Sequence, residues 1–425
     1  MTASGRATRQ ASVVVRRCAE LAGISSEPGR TTRVHLSPEH LRVNDVVGGW
    51  MREAGLAVHV DAVGNLHGRL APTAAGPEDA PVRTLLLGSH LDTVVDAGRY
   101  DGVVGVLMAL ATVERLVADG TALPFALEVV AFTDEEGTRF GTALLGSSAV
   151  AGHWDDAWWD LVDADGTTLR EASVAAGLDP ALVGTAALDP TTLVGYLEAH
   201  IEQAPHLDEA GRALGVVTGI AGARRFVVDV TGEARHAGGT PFARRRDALL
   251  AAAEAALAVE RTCRERDQIG TVGTLTVAPG AVNVVPGRAR FSVDLRGETD
   301  AGRDAAWDAV TAELDAIAAR RGVTVAVRQV HEAGAVRCAD RMREAVRAGV
   351  LATGDATPAA LFSRAGHDAM ALAAVTDVGM LFLRNPDGTS HHPDEHVAEA
   401  DVALGLDALA AAVVHLASED GGSGR

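Results

Sequence analysis

The chain of 425 residues is long enough for two domains, and with 47% apolar and 22% charged residues it is predicted to be globular. Its 57 acidic residues outnumber 38 basic ones, and the formal net charge of −19 argues against nucleic acid or an anionic membrane as a partner. The sequence contains no lysine, which excludes Schiff-base chemistry, Walker-type phosphate loops and a lysine-bridged metal site.

The three cysteines, Cys18, Cys263 and Cys338, lie far apart without metal-type spacing, so we expect free thiols in a cytoplasmic protein. The N-terminal region has only a three-valine apolar run before two arginines, which is too short for a signal-peptide core. We also expect that no stretch approaches the length and apolarity of a membrane span.

The first elements in chain order are amphipathic helices at residues 10–24 and 38–54, followed by a strand pair within 56–70 and a surface loop at 71–80. Ser37 and Pro38 form a cap and first-turn signal for the second helix. Strands and helices alternate afterwards, which predicts an α/β architecture.

The stretch from Thr84 to Gly105 indicates the first chemical site. Three leucines form a short buried strand that ends at His90, where ligands bind in open α/β sheets. Asp92 would point the same way and could orient the imidazole, and Asp101 stands at the start of an apolar helix over 103–117. A histidine with two nearby carboxylates predicts a metal site.

A second buried strand, residues 127–132, ends in Asp134-Glu135-Glu136, again at a carboxyl end. By itself such a run is ordinarily a solvated acidic turn. A third segment, residues 193–205, alternates apolar residues with Glu198, His200 and Glu202, which would all face one side of a strand. Between the two lies a helical insert with Trp154, Trp158 and Trp159, which we expect to be packing anchors.

Residues 220–332 form a self-contained βαββαβ pattern, the ferredoxin-like split arrangement, with helices predicted from Ala243 to Glu265 and from Thr299 to Arg320. The chain then returns to α/β character with a helix near 340–352, a strand over 378–383 and a last helix over 398–416. We therefore predict three segments: 1–219 and 333–425 form one domain, and 220–332 is inserted in it.

Seven motifs stand in register along nearly the whole chain from about residue 40: GSHLDTV with GRYDGVVGV, TDEEGTRF, YLEAHIEQ, GEARHAGGTPFARRRDA, AVNVVPG with DLR, AGHDA and GTSHHPDE. Together they resemble the amidase (hydantoinase/carbamoylase) branch of the dinuclear zinc peptidase family. The resemblance implies an α/β/α catalytic domain like that of the zinc peptidases, with an inserted ferredoxin-like lid and dimerisation domain.

The resemblance also implies two divalent metal ions per subunit, which could be zinc, manganese or cobalt. His90 and His200 match the ligands of one metal, Glu136 and His391 match those of the other, and Asp101 matches the bridging carboxylate. The choice of His391 over the adjacent His392 follows the family's motif frame.

Two further residues match catalytic positions of the family. Glu135 matches the general base, and His236 matches the histidine that polarises the scissile carbonyl, typically from the partner subunit of a homodimer. The matched substrate-binding residues are Gln203, Asn283 and Arg296. Asp92 is matched separately, as the residue that supports the metal ligand His90 without binding the metal.

The implied function is hydrolysis of a linear C–N bond in the ureido or carbamoyl group of a small carboxylate. Allantoate is the favoured substrate, and an N-carbamoyl-L-amino acid is the near alternative. A dipeptidase or N-acyl-amino-acid deacylase, and a homologue without turnover, are weaker alternatives. Ala204 and Arg364 depart from the family's motifs near the substrate, and His367 and Asp368 receive no role.

Overall fold

The computed structural model describes residues 3–74 and 81–422. Residues 75–80, which belong to the surface loop predicted at 71–80, lie outside the described residues. The contacts divide the chain into two compact units. The first unit is Met1–Thr218 with Cys338–Arg425, and the second is Gly219–Arg337.

Helices and strands alternate along the described chain, so the predicted α/β class is confirmed. The helices are α1 Ala3–Ala22, α2 Pro38–Glu53, α3 Val103–Ala118, α4 Leu145–Val150, α5 Leu169–Ala175, α6 His206–Glu209, α7 Ala248–Glu265, α8 Asp300–Arg321, α9 Asp340–Ala352, α10 Ala369–Leu372 and α11 Glu399–Gly422. The strands are β1 Ala57–Val60, β2 Leu66–Leu70, β3 Thr84–His90, β4 Ala126–Phe132, β5 Leu193–Ile201, β6 Leu214–Ile220, β7 Gly222–Thr231, β8 Arg235–His236, β9 Ile269–Thr271, β10 Leu275–Ala278, β11 Val284–Val285, β12 Arg288–Gly297, β13 Thr324–Ala333, β14 Val336–Arg337, β15 Ala359–Ser363 and β16 Val378–Leu383.

The sheet of the first unit has the strand order β1-β2-β4-β3-β5-β16-β6. Strand β3 runs parallel to β4 and β5, and β16 runs parallel to β5. All residues of β3, β4 and β5 are buried, as expected for strands with helices on both faces. Because parallel strands end at the same edge, the segments that follow β3, β4 and β5 lie close together.

Helix α3 packs on this sheet and is buried on nearly every side. Helix α11 corrects the expectation about membrane spans, because Glu399–Asp420 is long enough and has a mean hydropathy of 1.7. However, 61% of its apolar window is buried inside the protein, where it packs against α1, α3 and α9. It is therefore a core helix whose length and apolar composition match those of a membrane span.

Two predicted helix starts were wrong. Helix α1 begins at Ala3 instead of residue 10, and α7 begins at Ala248 instead of Ala243. The α7 start is set by Asp247, whose side chain accepts a hydrogen bond from Leu250 N. The cap of α2 agrees with prediction, since the Ser37 side chain accepts from His40 N.

The tryptophan-rich insert consists of short helical turns around α4 and α5. The rings of Trp154 and Trp159 lie 4.6 Å apart, and Trp159 packs with Phe140 and Leu169 in a small apolar cluster. Trp158 packs against the same cluster, so the prediction that the three indoles are packing anchors is confirmed.

The second unit is an antiparallel sheet, β10-β12-β7-β13, with β9 beside β12 and with α7 and α8 on it. The element order along the chain follows the predicted βαββαβ pattern, with β9 as an extra strand. Strands β8 and β11 form a small ribbon beyond the end of β7 and β12. The ring of Trp307 stacks on Phe226 in the core of this unit.

Candidate metal centre

Two buried histidines meet at the edge of the sheet in the first unit. His90 ends β3, and His200 lies in β5 with its ring centroid 5.7 Å from that of His90. His90 Nδ1 donates to the Asp92 carbonyl (3.1 Å), and His200 Nδ1 donates to the Ile201 carbonyl (2.9 Å). Because a carbonyl can only accept, the Nε2 atom of each neutral ring keeps its lone pair, as a metal ligand requires.

Asp101 lies between the two histidines and a third one. Its Oδ1 is 3.3 Å from His200 Nε2 and 3.9 Å from His90 Nε2, and its Oδ2 is 3.1 Å from His391 Nε2. His391 Nε2 is also 3.5 Å from Glu136 Oε1. The two oxygens of one carboxylate therefore face two different donor sets.

The residue after Asp101 explains how this carboxylate comes so close to the imidazole. Gly102 has φ 65°, and a Cβ there would lie 2.4 Å from ring atoms of His90. A side chain at this position would be strained and would also displace the histidine.

His90 Nδ1 donates to the backbone carbonyl of Asp92, and the Asp92 carboxylate, which was predicted to orient the ring, lies farther away, with Oδ1 3.8 Å from the same nitrogen. The carboxylate accepts hydrogen bonds from two successive amides, with Oδ1 3.1 Å from Glu135 N and Oδ2 3.2 Å from Glu136 N. Asp92 therefore holds the acidic loop after β4 in place beside the end of β3.

The electrostatics of the centre show an excess of buried negative charge. Burial and the charge of Glu136 raise the pKa of Glu135 well above its usual range, and burial and Asp101 raise the pKa of Glu136 to about 10. Burial lowers the pKa of His90. Burial opposes ionisation of Asp101, but the hydrogen bond from His391 and the charges of His200 and His90 lower its pKa.

This donor set fits divalent cations. One compact group is His90, Asp101 and His200, and a second is Asp101, Glu136 and His391. In the first group the Nε2 lone pairs of the two histidines face a carboxylate oxygen, and in the second group one imidazole nitrogen lies beside two carboxylates. A divalent cation satisfies both arrangements. The neighbouring His392 instead lies beside Asp394, from whose amide its Nδ1 accepts a hydrogen bond.

Gln203 lies at the rim of the centre and not in β5. Its backbone has φ 57°. Its side-chain amide nitrogen, Nε2, lies 3.2 Å from both oxygens of Asp101 and 3.0 Å from Ser390 Oγ. The preceding Glu202 is also beyond the strand, and its carboxylate accepts from the amides of His206 and Leu207. The predicted alternation therefore ends at His200.

Sequence reasoning missed Glu395, which is 3% exposed. Its Oε1 accepts from the amides of Tyr100 (2.8 Å) and Asp101 (3.0 Å), and its Oε2 accepts from Ser390 Oγ (3.0 Å). This carboxylate joins the segment of Asp101 to the segment of His391. Its place in the motif that carries His391 was the available signal.

A further buried group lies beneath His200. The ring of His367 packs edge-on against His200 at 4.5 Å, and its Nε2 lies 2.7 Å from Ser363 Oγ. Glu198 accepts from Ser89 Oγ (2.9 Å) and from the Ala369 amide (3.2 Å). Burial and Glu198 raise the pKa of Asp368.

The remaining matched residues belong to the second unit. His236 in β8 and Asn283, just before β11, are exposed neighbours, and the Asn283 carbonyl accepts from Ala237 N (2.8 Å). His236 Nδ1 accepts from Gly239 N (2.9 Å), so a neutral ring carries its proton on Nε2. Arg296 lies near the other end of β12 and contacts Asp294 (2.9 Å).

Comparison with known proteins identifies relatives over nearly the full chain. The sequence profile of Peptidase family M20/M25/M40 matches residues 86–415. An N-carbamoyl-L-amino acid amidohydrolase of Geobacillus stearothermophilus is 40% identical, covering 94% of this chain and 97% of the relative. A probable allantoate deiminase of rice, Oryza sativa subsp. japonica, is 39% identical over 92% of this chain and 86% of its own length.

A similar solved structure is a hydantoinase/carbamoylase-family amidase from Burkholderia multivorans. It is 33% identical with a TM-score of 0.87, covering 96% of this chain and 98% of the amidase. These findings confirm the resemblance seen in the motifs and the predicted α/β fold of the zinc-peptidase type.

Proposed function

The chain belongs to peptidase family M20/M25/M40, and from this membership we propose that it is a metal-dependent amidohydrolase with allantoate as its substrate. In the proposed reaction, water attacks the linear ureido carbonyl and the C–N bond to the terminal nitrogen breaks, which releases ammonia. The carbamate left on the other nitrogen then loses carbon dioxide. We further propose a cytoplasmic location, consistent with the three buried free thiols.

The observation that carries this proposal is that the two carboxylate oxygens of Asp101 face two different sets of ligand atoms. Oδ1 faces His200 and His90, whereas Oδ2 faces His391, which also neighbours Glu136. This geometry supports two divalent ions, with Asp101 as the shared ligand. Zinc, manganese and cobalt all suit nitrogen and oxygen donors of this kind.

Glu135 is proposed as the proton carrier of the reaction. When bound, divalent ions polarise a substrate carbonyl and acidify a water molecule. The Glu135 carboxylate accepts the proton of the attacking water and delivers it to the leaving nitrogen. Its Oε2 lies 4.0 Å from His90 Nε2. The hydrogen bond from its backbone amide to the Asp92 carboxylate holds the backbone of Glu135 in place.

Four residues are proposed to contact the substrate. His236 has Nε2–H available as a donor, which suits an oxyanion that develops on the carbonyl. Asn283 and Arg296 are proposed to bind the substrate carboxylate, and Gln203 is proposed to bind the ureido amide.

An N-carbamoyl-L-amino acid is the second candidate substrate, favoured by the 40% identity to the amidohydrolase of Geobacillus stearothermophilus. The test is ammonia release from allantoate and from N-carbamoyl-L-amino acids after reconstitution with Mn²⁺, Co²⁺ or Zn²⁺. An N-acetyl-L-amino acid serves as the comparison for a deacylase. Faster turnover of the carbamoyl substrate would select the second candidate, and no turnover of either would contradict the amidohydrolase.

We also propose a homodimer in which His236 and Asn283 serve the partner's site. Arg296 and Arg288 lie eight residues apart in β12, about 27 Å of antiparallel strand. The β8–β11 ribbon continues beyond the Arg288 end. One small carboxylate therefore cannot contact Asn283 and Arg296 of the same chain, whereas two copies can meet this requirement.

Mixed variants test the trans arrangement. His236→Ala and Arg296→Ala should each lose about 10²-fold in activity. After the two are mixed under conditions that exchange subunits, half of the dimers should carry one intact site, which restores about a quarter of wild-type activity. No recovery in a demonstrably exchanged mixture, or a fully active monomer in sedimentation, would contradict the arrangement.

A further inference from the structure

A short segment before the residues that match the family profile runs beside the metal centre. We name residues Thr31–His35 the N-terminal strap; the profile match begins only at residue 86. Thr93 N donates to the Arg33 carbonyl (2.9 Å), and Arg33 N donates to Thr93 Oγ1 (2.9 Å). Ala97 N donates to the Thr31 carbonyl (2.8 Å). The strap therefore follows the loop that joins His90 to Asp101.

The side chain of Arg33 is the buried element of the strap, at 1% exposure. Its Nε donates to the Leu91 carbonyl (2.8 Å), and the guanidinium also donates to the carbonyls of Leu21 (3.0 Å) and Ile24 (3.2 Å). Burial lowers its pKa to about 10, so it remains a cation at neutral pH. A buried cation is costly unless it is well bound, and these hydrogen bonds bind it.

Leu91 is the residue between His90 and Asp92, so its peptide sets the direction of both. Leu91 N donates to the Phe132 carbonyl (3.3 Å) and its own carbonyl accepts from Arg33, which holds the peptide from two sides. The carbonyl of Asp92 in turn orients His90, and its carboxylate holds the amides of Glu135 and Glu136.

The strap also reaches the second loop of the centre. The His35 ring is hydrogen-bonded to Thr133 Oγ1, and the His35 carbonyl accepts from Arg139 (2.9 Å). Thr133 and Arg139 flank the loop that carries Glu135 and Glu136. One segment of five residues thus contacts both loops that converge on the centre.

We propose that Arg33 is a positioning residue of the metal centre, which holds the chain after His90 in the geometry that binds the metal. This inference rests on the proposed function. The competing interpretation is that Arg33 only caps the C-terminal turn of α1 through Leu21 and Ile24, in which case its loss would lower stability and leave metal affinity unchanged.

The test compares Arg33→Met and Arg33→Lys with Arg115→Met as the matched control. Arg115 is also a buried cation that contacts α1, with Nε donating to Gln10 Oε1 (2.8 Å), and it lies near the end of α3 that is remote from Asp101. Affinity for Mn²⁺ and Zn²⁺ is measured by competition with a chromophoric chelator, and unfolding of the metal-free proteins is measured in parallel.

Arg33→Met should weaken metal affinity about tenfold or more, as is usual for the loss of a group that orients a ligand. Arg33→Lys should fall between it and wild type, whereas Arg115→Met should lose stability yet bind metal within about twofold of wild type. If Arg33→Met does not fold, Arg33→Lys and Thr93→Val are measured in its place. Thr93→Val removes the Oγ1 acceptor of the Arg33 backbone amide. Both variants should show a smaller loss of metal affinity.

Wild-type affinity in folded Arg33→Met, or in both substitutes, would overturn this inference alone. Equal loss of metal affinity in Arg115→Met would also overturn it, because docking of α1 would then be the cause. A wild-type chain that binds no metal would overturn the proposed function, and this inference with it.

Discussion

Two buried clusters in the sheet of the first unit combine histidine with carboxylates, but they differ in what the second ring nitrogen does. At the metal centre, a backbone carbonyl occupies Nδ1 of His90 and of His200, and the accepting Nε2 faces Asp101. In the second cluster, both ring nitrogens of His67 face carboxylates, Glu128 Oε1 at 2.8 Å and Asp61 Oδ2 at 3.4 Å.

The pKa shifts follow from this difference. Burial opposes protonation of His67, but the hydrogen bonds to Asp61 and Glu128 raise its pKa to about 9. Burial lowers the pKa of His90, and burial also raises the pKa values of the Glu135 and Glu136 carboxyl groups. The His67 cluster balances its charges with a proton. At the metal centre, the Nε2 lone pairs of His90 and His200 face a carboxylate oxygen of Asp101, so a cation is needed between them. Residue type alone does not distinguish an ion pair from a metal site.

The largest expected effect separates the chemistry of the two clusters. Glu135→Gln should lower kcat about 10³-fold through loss of the proton carrier while metal content stays that of wild type. The matched change in the other cluster, Glu128→Gln, should leave kcat within about twofold because Glu128 lies in the ion pair of His67. Activity assays and elemental analysis check both variants, and a fully active Glu135→Gln would refute the assignment.

The second expected effect is a pH dependence of stability from His67. Its folded pKa of about 9 exceeds the ordinary 6.5, so its stabilisation is complete below pH 6.5 and is lost as pH rises through 9. The wild type should lose roughly 3 kcal/mol of unfolding free energy across this window that His67→Gln does not lose. Urea titrations of both metal-loaded proteins measure the difference, and parallel curves would show that His67 is neutral.

The third effect concerns metal removal. Each bound metal at 100 times its dissociation constant should add about 2.7 kcal/mol to the unfolding free energy of wild type relative to chelated protein. His67→Gln should keep this increment, since its cluster is complete without a cation, and Asp101→Asn should lose most of it. Calorimetry with and without chelator checks the three proteins; retention of the full increment by Asp101→Asn would remove Asp101 from the metal centre.

The smallest effect tests how Glu395 joins the segments of Asp101 and His391. Glu395→Gln should weaken metal affinity about tenfold, because the amide cannot accept all three hydrogen bonds as the carboxylate does. Asp394→Asn is the control, since that carboxylate is 88% exposed. Chelator competition measures both affinities, and equal affinities would limit Glu395 to a role in folding.

Much of this architecture follows from local sequence patterns. Short apolar runs end at His90 and before Asp134, and such runs form buried parallel strands whatever their neighbours are. The helix that follows Asp101 and the cap at Ser37 are equally local. The start of α7 was missed because Ala243 and the three arginines that follow it are all good helix formers, so local propensity did not mark Asp247 as the cap.

The sequence by itself determined the α/β class, the family and a histidine and carboxylate set at strand ends, because strand and helix periodicity and the motifs act over a few residues. Only the tertiary structure decided that the Asp92 carboxylate holds the acidic loop, that Glu395 joins two distant segments, and that Arg33 lies behind Leu91. Each of these depends on the direction of a hydrogen bond between segments far apart in the chain. Such directions are set by how the strands and helices pack, which local patterns do not encode.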